Sequence, residues 1–474
     1  MTISEAVKEY QYTLGHMTIG QCIQIATKLN LTVGEVIISE ACEFQSKSRK
    51  DVVQEMSKAF AHNIKATTIG LNSGRSGLLG TIGQDLNKSP NNVKIIDDEF
   101  VNRIVTCTLA AQVGNHSIGL CPCAGTGDAC PYTGFVMAVR EFFPEDEDLL
   151  ARVTAVILKI GGMFRIGKQT TGCNMEGIGA GACALSAAFV ELAGGTPSQM
   201  ENAMVLAISP TIAVPCTPRV LVPGLCATHI GGGVLIARLA SQLAMYTSIP
   251  VNVPADVMIA MAAQCHLQSA EHVVPVTIKY MEPFFKREAK IEEYISDDVK
   301  NLELQRKQDV IQQAENEAQS LAARANQITA PFGDAVVGGS SEGVGSPTNC
   351  ARLAHYLAKG KIKKVKVELC KELFARRTTN IPGILMAAVK GCGTSDAEAY
   401  NMIMDEMKGL DIEVEILEID EPHVQRVSIE ASESNSFVDS LNRAGARLVL
   451  LDAYPSKEEA IKLAKKLNIV LIDQ

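Results

Sequence analysis

Across about the first 275 residues the apolar side chains recur at helical rather than strand spacing, in segments such as SEAVKEY, KDVVQEMSKAFAHNI, DLLARVTAVILKIGG and TPSQMENAMVLAIS. Capping residues stand at their starts and β-branched alternation is scarce, so this half of the chain is expected to be packed helices. From Pro331 the pattern changes. The Gly/Ser-rich stretch GDAVVGGSSEGVGSP leads into a predicted helix, and KVKVELC then puts Val365, Val367 and Leu369 on one face of a strand. DIEVEILEID repeats the alternation with Ile412, Val414 and Ile416, and RLVLLDAYPSKEEAIKLAKKLNIVLID reads as strand, helix, strand. Between the two patterns, the run from Pro283 to about Ile328 is charged and helix-favouring with little apolar stripe, and reads as a solvated connecting helix. The expected fold class is α+β: a mostly α-helical N-terminal domain at 1–275, a charged helical connector at 276–328, and a smaller α/β domain at 329–474. No repeat of roughly 20 to 50 residues is present, which excludes a solenoid.

A chain of 474 residues with 47% hydrophobic and 20% charged residues can bury a sizeable core and is not largely disordered. The balance of 44 Lys+Arg against 53 Asp+Glu, a formal charge of −9, gives no electrostatic reason to expect nucleic acid or anionic lipid as partner. With no Trp and 5% aromatic residues there is little surface for stacking bases, while 37 Gly and many Ala suit closely approaching helices. The longest charge-free windows, such as Val220 to Ala237, are interrupted by Pro223, Gly224, His229 and the Gly231–Gly233 run, so they read as buried helices and loops rather than membrane spans. The start, MTISEAVKEY, is polar and acidic and lacks the pattern of a cleavable secretory signal; a cytoplasmic location is the expectation. Apolar, Gly/Ala-rich helices in excess of what one chain covers make a homodimer the expected assembly.

Fourteen Cys without an exporting segment point to reduced thiols or metal ligands rather than a disulfide framework. They concentrate with glycine and proline in two places. GLCPCAGTGDACPYTG carries Cys121, Cys123 and Cys130, and a second span runs from Cys173 in QTTGCNMEG to Cys216 and Cys226 in VPCTPRVLVPGLC. Neither the paired CxxC or Cys/His knuckles of a structural zinc site nor the CxxCxxC of a ferredoxin is present. Three well-separated cysteines on irregular backbone suit a cubane with one iron left open for substrate.

The run SGRSGLLG (Ser73 to Gly80), then NHSIG before a Pro-Cys-Ala-Gly loop, then GCNMEGIGAGACALSAAFVELAGGTPSQMENA, then PCTP and GLC, resembles the α chain of iron–sulfur L-serine dehydratases over most of residues 1 to 260. The resemblance implies a helical α region in which three cysteines, here Cys173, Cys216 and Cys226, hold a [4Fe-4S] cluster; Cys183 matches a family cysteine that is not a ligand and is expected to be a packing residue. GGSSEGVGSPTNCARLAHYLAKGKIKKVKVELCKELFARRTTNIPGILMAAVKG is similar to the loop, helix, strand and helix of the family's β domain, so the order of the two parts is reversed from the commonest single-chain arrangement.

The departures bear on substrate. Ser340 and Ser341 remain in the loop, but Glu342, Gly343 and Val344 follow where the family has a histidine and further hydroxyls. The family's Cys-Asp-Pro is Cys216-Thr217-Pro218, with Arg219 next, and the interval to Cys226 is one residue shorter. Arg165 and Lys168 stand upstream of GCNMEG where the family has small and hydroxyl residues. The chain ends NIVLIDQ and its last cysteine is Cys392, so a C-terminal cysteine acting as resting ligand is not expected.

What the resemblance implies is elimination of water from L-serine or a close relative to give pyruvate and ammonia, with the open iron as Lewis acid and no pyridoxal phosphate. His116 is the first candidate for the base, since imidazole titrates near working pH; a hydrogen-bonded structural histidine is an equal alternative. His229, close to Cys226 in sequence, is the second candidate. Gly339, Ser340 and Ser341 are candidates for binding the substrate carboxylate, helped by Arg75, Arg165, Lys168 or Arg219. The loop cysteines Cys121, Cys123 and Cys130 could bind a second metal, supply a fourth ligand or receive sulfur, and reduced thiols in a tight loop are the plainer alternative. Two other functions stay open: the same scaffold acting on another substrate, such as an L-cysteine desulfidase, and a non-catalytic iron–sulfur sensor.

Overall fold

The computed structural model describes residues 2–77, 79–88, 94–121, 126–167, 179–212, 223–284, 289–325, 329, 335–339, 344–443 and 445–473, with side chains at 126–128, 165–167, 223–225 and 270 outside the description. The fold is α+β, a helical N-terminal part followed by helices around a mixed five-stranded sheet. The chain separates into two compact units, Met1–Asn316 and Glu317–Gln474.

The first unit contains α1 (Ile3–Glu9), α2 (Ile19–Leu29), α3 (Val33–Gln45), α4 (Arg49–Ala59), α5 (Ala61–Asn72), α6 (Ile82–Asn87) and α7 (Glu99–Ile118). It continues with α8 (Thr126–Phe142), α9 (Glu147–Gly167), α10 (Gly181–Leu192), α11 (Pro197–Ile208), α12 (Pro223–Tyr246), α13 (Ala255–Met281) and the short α14 (Ala289–Glu292). Local chemistry sets many of the starts. Thr2, Thr18 and Thr196 form capping boxes, and Thr32, Ser48 and Asp98 accept from the first-turn backbone of their helices. The run KDVVQEMSKAFAHNI is two helices, α4 and α5, meeting at Phe60, whose fully buried ring anchors the junction in the core.

The directions of the central helices follow from a few contacts. Phe100 at the start of α7 lies edge-on to Phe135 of α8 and Phe189 of α10, at 6.0 and 6.3 Å between ring centroids, and Arg238 of α12 caps Phe189 at 5.4 Å. Further along, a Cβ added to Gly231 of α12 would sit 3.7 Å from Val105 and 3.8 Å from Leu109, whereas Arg238 reaches back to Asp98, the N-cap of α7, at 3.4 Å. Thus α12 runs antiparallel to α7. The approach of Gly134 to Ile104 and Thr108, and of Cys130 to Gln112, makes α8 antiparallel to α7 as well. Interhelical spacing is small because glycines face backbone: a Cβ on Gly114 would lie 2.1 Å from the Ala66 carbonyl oxygen, and one on Gly70 2.0 Å from that of Ala110. These two contacts hold α5 against α7.

A long helix, α15 (Asp297–Arg324), spans the division between the units and buries none of its residues, as its charged sequence implies. The second unit contains α16 (Ser346–Leu357), β1 (Ile362–Cys370), α17 (Lys371–Ala375), α18 (Arg377–Lys390), α19 (Ala397–Glu406), β2 (Glu413–Ile419), β3 (Val424–Ala431), β4 (Ser436–Asn442), β5 (Leu448–Tyr454) and α20 (Lys457–Lys466). The sheet order is β2-β1-β3-β4-β5, with β1 and β2 parallel and the remaining pairs antiparallel. Val365, Val367 and Leu369 are fully buried on one face of β1, packed with α16 and α18 residues such as Leu353 and Ile384. After α20 the chain makes a single parallel bridge, Leu471 to Leu448, in place of the third element of the expected strand, helix, strand. The hairpin β3–β4 between Val424 and Asn442 was not anticipated from the sequence pattern.

Candidate functional site

The C-terminal turn of α7 carries His116, and its surroundings are built from three neighbouring pieces of chain. The loop after α5 folds back on itself through Ser76 N–H to Gly80 O (2.8 Å) and Gly80 N–H to Ser76 O (2.9 Å), which Gly80 permits with φ +62°. That turn buries Ser76, whose Oγ accepts the Leu79 N–H at 2.9 Å and lies 2.6 Å from His116 Nδ1. On the other side, Gln112, one turn earlier on α7, accepts from the Cys130 thiol at 3.0 Å. Its amide nitrogen is then turned toward His116 Nε2, at 3.5 Å. An amide N–H facing Nε2 leaves the lone pair there and the proton on Nδ1, donated to Ser76 Oγ. Desolvation holds the His116 pKa below its ordinary value although the residue keeps some exposure, so the imidazole is neutral and able to accept a proton at neutral pH.

The turn beyond α7 is held from α5. His62 Nε2 donates to Gly119 O at 3.0 Å, and the buried Asn63 brackets Cys121, donating to its carbonyl at 2.9 Å and accepting its N–H at 2.8 Å. Cys121 is exposed while Cys130, in the second turn of α8, is fully buried; Cys123 lies outside the described residues. The two loop cysteines that are described therefore sit in different environments.

Cys226 is half-buried in the first turn of α12, and His229, one turn further and on the same side of the helix, is buried. Because Gly231 lies level with Val105 and Leu109 and α12 runs antiparallel to α7, a rise of about 1.5 Å per residue puts Cys226 roughly level with Gln112 and His116. Four features thus meet at one end of the helical unit: the end of α7, the starts of α8 and α12, and the Ser76 turn. The first turns of α8 and α12 direct backbone N–H groups to that end. Cys183, at the start of α10, is fully buried and burial pushes its thiol pKa well up, which agrees with packing.

Cys173 and Cys216 lie outside the described residues, as do Lys168, Arg219, Ser340 and Ser341, and the side chain of Arg165. Among the described residues no three His, Cys, Asp or Glu side chains gather as a metal site. Arg75 is exposed on the Ser76 loop. Gly339 is described at the edge of its loop, beside Gly338 in the left-handed region at φ +80° and Val337, whose N–H donates to Thr394 O at 2.8 Å. On the far side of that loop, Ser346 at the start of α16 accepts from the buried Gln425 at 2.6 Å.

Ser76, Gln112, His62 and Asn63 were not singled out from the sequence as site residues. Ser76 and Gly80 lie in the SGRSGLLG run, which was the available signal. Residues 28–276 match the family described as serine dehydratase alpha chain. The chain belongs to the serine dehydratase alpha-chain family. A similar protein is the probable L-serine dehydratase, alpha chain, of Bacillus subtilis (strain 168), 24% identical over 251 residues that cover 50% of this chain and 82% of that protein. The matched span includes His116, His229, Cys173, Cys216 and Cys226 and ends before α15. Among the described residues no helix is long and apolar enough to cross a membrane.

Proposed function

We propose that this chain is an iron–sulfur-dependent lyase that eliminates water from L-serine or a close relative, giving pyruvate and ammonia. The observation that carries the reading is the family match over residues 28–276, which spans all three candidate cysteine ligands. The donor chemistry fits: Cys226 is a half-buried cysteine outside any disulfide, in the first turn of a helix. Cys173 and Cys216 stand in the two segments that precede α10 and α12. These cysteines would hold a [4Fe-4S] cluster. When bound, such a cluster supplies Lewis acidity toward the hydroxyl and carboxylate oxygens of a substrate without redox change.

The chain's own groups do the rest. His116, neutral and with its lone pair on Nε2, takes the Cα proton; the Cα–H electron pair forms the Cα=Cβ bond as the Cβ–O bond breaks, and the departing hydroxide takes the proton back from the imidazolium to leave as water. Ser76 holds the ring through Nδ1, so the proton is received at a fixed atom. His229 is kept as the second candidate for that role or as a donor beside Cys226. Backbone and hydroxyl donors at Gly339, Ser340 and Ser341, with Arg75, Lys168 or Arg219, would bind the carboxylate. The released aminoacrylate tautomerises to an imine, which water hydrolyses to pyruvate and ammonia. Elimination of sulfide from L-cysteine is the second reading, favoured by the Glu342-Gly343-Val344 departure in the substrate-type loop.

The protein is read as cytoplasmic and homodimeric. Exposed apolar side chains on α12 and α13, among them Tyr246, Leu239 and Val276, support a partner copy. The test is anaerobic reconstitution with iron and sulfide analysis, then titration of the visible absorption with L-serine, L-cysteine and L-threonine and assay of keto acid and sulfide. Roughly 4:4 iron and sulfide with pyruvate from serine supports the first reading, and sulfide from cysteine the second. No cluster after reconstitution removes both. A cluster silent to every amino acid points to an iron–sulfur sensor instead.

A further inference from the structure

Away from the α7 end, a cavity of about 680 Å³ opens between α4, α8 and α9. Its floor is apolar: Phe60 and Val136 are buried in the main core, and Val53, Met56 and Leu150 pack against that core from the sides. One polar group does not fit a merely structural account. Arg140, half-buried near the C-terminal end of α8, donates through Nη2 to Ser57 Oγ at 2.8 Å, and no carboxylate is in ion-pair reach of it among the described residues. The acidic side chains at the rim do not serve it. Asp148 is engaged by Arg49 and Arg152, and Glu147 makes no ion pair with Arg140. Partial desolvation lowers the Arg140 pKa, with no anion beside it to offset the effect. The rest of the rim is polar, with Arg49, Lys50 and Gln54 beside the acidic pair, and an apolar floor with polar groups at its edge is the form of a small-molecule site.

We propose that the α4–α8–α9 cavity binds a small organic carboxylate with an apolar chain, its carboxylate on Arg140 and Ser57 and its chain against Phe60, Met56 and Val136. The planar guanidinium keeps free N–H groups beside the one given to Ser57, so a carboxylate can be held by two parallel bonds, and the Ser57 hydroxyl proton is available as a further donor. The site is separate from the candidate lyase centre. Arg140 lies ten residues along α8 from Cys130, about 15 Å at helical rise. Its occupancy does not require a cluster.

Titration calorimetry of the full chain with acetate, butyrate and hexanoate should show saturable binding of hexanoate, tightening with chain length. 1-Hexanol and hexylamine should bind about tenfold more weakly or worse, because neither pairs with a guanidinium. Arg140→Gln should weaken hexanoate about tenfold or more and leave 1-hexanol unchanged, while Ser57→Ala should cost about threefold, the loss of one neutral hydrogen bond. Removing an uncompensated charge should not lower the melting temperature. Three results would overturn the proposal: no saturable hexanoate binding, equal hexanoate affinity in Arg140→Gln, or a marked fall in that variant's melting temperature, which would make Arg140 a structural cation.

Discussion

Ser76 Oγ lies 2.6 Å from His116 Nδ1, so a buried hydroxyl on the loop after α5 fixes the orientation of the imidazole at the end of α7. Forty positions separate the two residues in the chain. The contact exists because Gly70 and Gly114 let α5 and α7 approach at backbone distance, which delivers the loop to the end of α7.

Desolvation lowers the His116 pKa below its ordinary 6.5. As pH falls from 6.5 toward the folded value, the unfolded chain takes up the proton first, so stability declines through that window and is flat on either side of it. Equilibrium unfolding of wild type and His116→Gln at several pH values should show this loss only in wild type. An imidazole NMR titration midpoint at or above 6.5 would contradict it.

Ser76→Ala leaves the Leu79 N–H without its acceptor and frees the His116 ring. The expected cost is about 1–3 kcal/mol in urea unfolding. If the lyase reading holds, kcat should fall more than KM changes, because the ring's orientation and not substrate affinity is lost.

Asn63→Ala removes both bonds to the Cys121 backbone, yet Cys121 is exposed and water can replace them. Stability should fall by only about 1 kcal/mol. The rate of Cys121 modification by a soluble disulfide reagent should change more than the melting temperature does. An unchanged rate would mean the clamp does not control that turn.

Gly114→Ala places a methyl group against the Ala66 carbonyl, and backbone cannot move aside as a flexible side chain would. A loss of about 1–3 kcal/mol or more is expected. Gly232→Ala on α12, where nothing lies near the added carbon, is the control and should be neutral or slightly stabilising by helix propensity.

Cys173→Ser, Cys216→Ser and Cys226→Ser should each abolish iron retention after anaerobic reconstitution, whereas Cys183→Ala should retain iron and lose stability by about 1–2 kcal/mol from the cavity. Iron retained in Cys226→Ser would remove that residue from the ligand set.

Much of the scaffold was legible because helix periodicity and caps are local. Thr196, at the head of TPSQMENAMVLAIS, and the apolar spacing of DLLARVTAVILKIGG sit where α11 begins and α9 runs. Val365, Val367 and Leu369 were placed on one strand face, and all three are buried. The break at Phe60 was not legible, since helix spacing continues through it and the ring's burial depends on distant partners. Nor was the β3–β4 hairpin, whose Arg426 and Gln425 obscure the alternation until their tertiary partners, Glu421 and Asp439 for one and Ser346 and Ser440 for the other, are known. The same reason hid Gln112 and Asn63: each is an ordinary amide in sequence and acquires a role only from residues 18 and 58 positions away.

α15 buries none of its 28 residues, and the two hydrophobic cores on either side of it share no side chain. A backbone cut within this helix would therefore remove no apolar contact from either core. Proteolytic nicking within this helix should leave the buried residues of both cores in place.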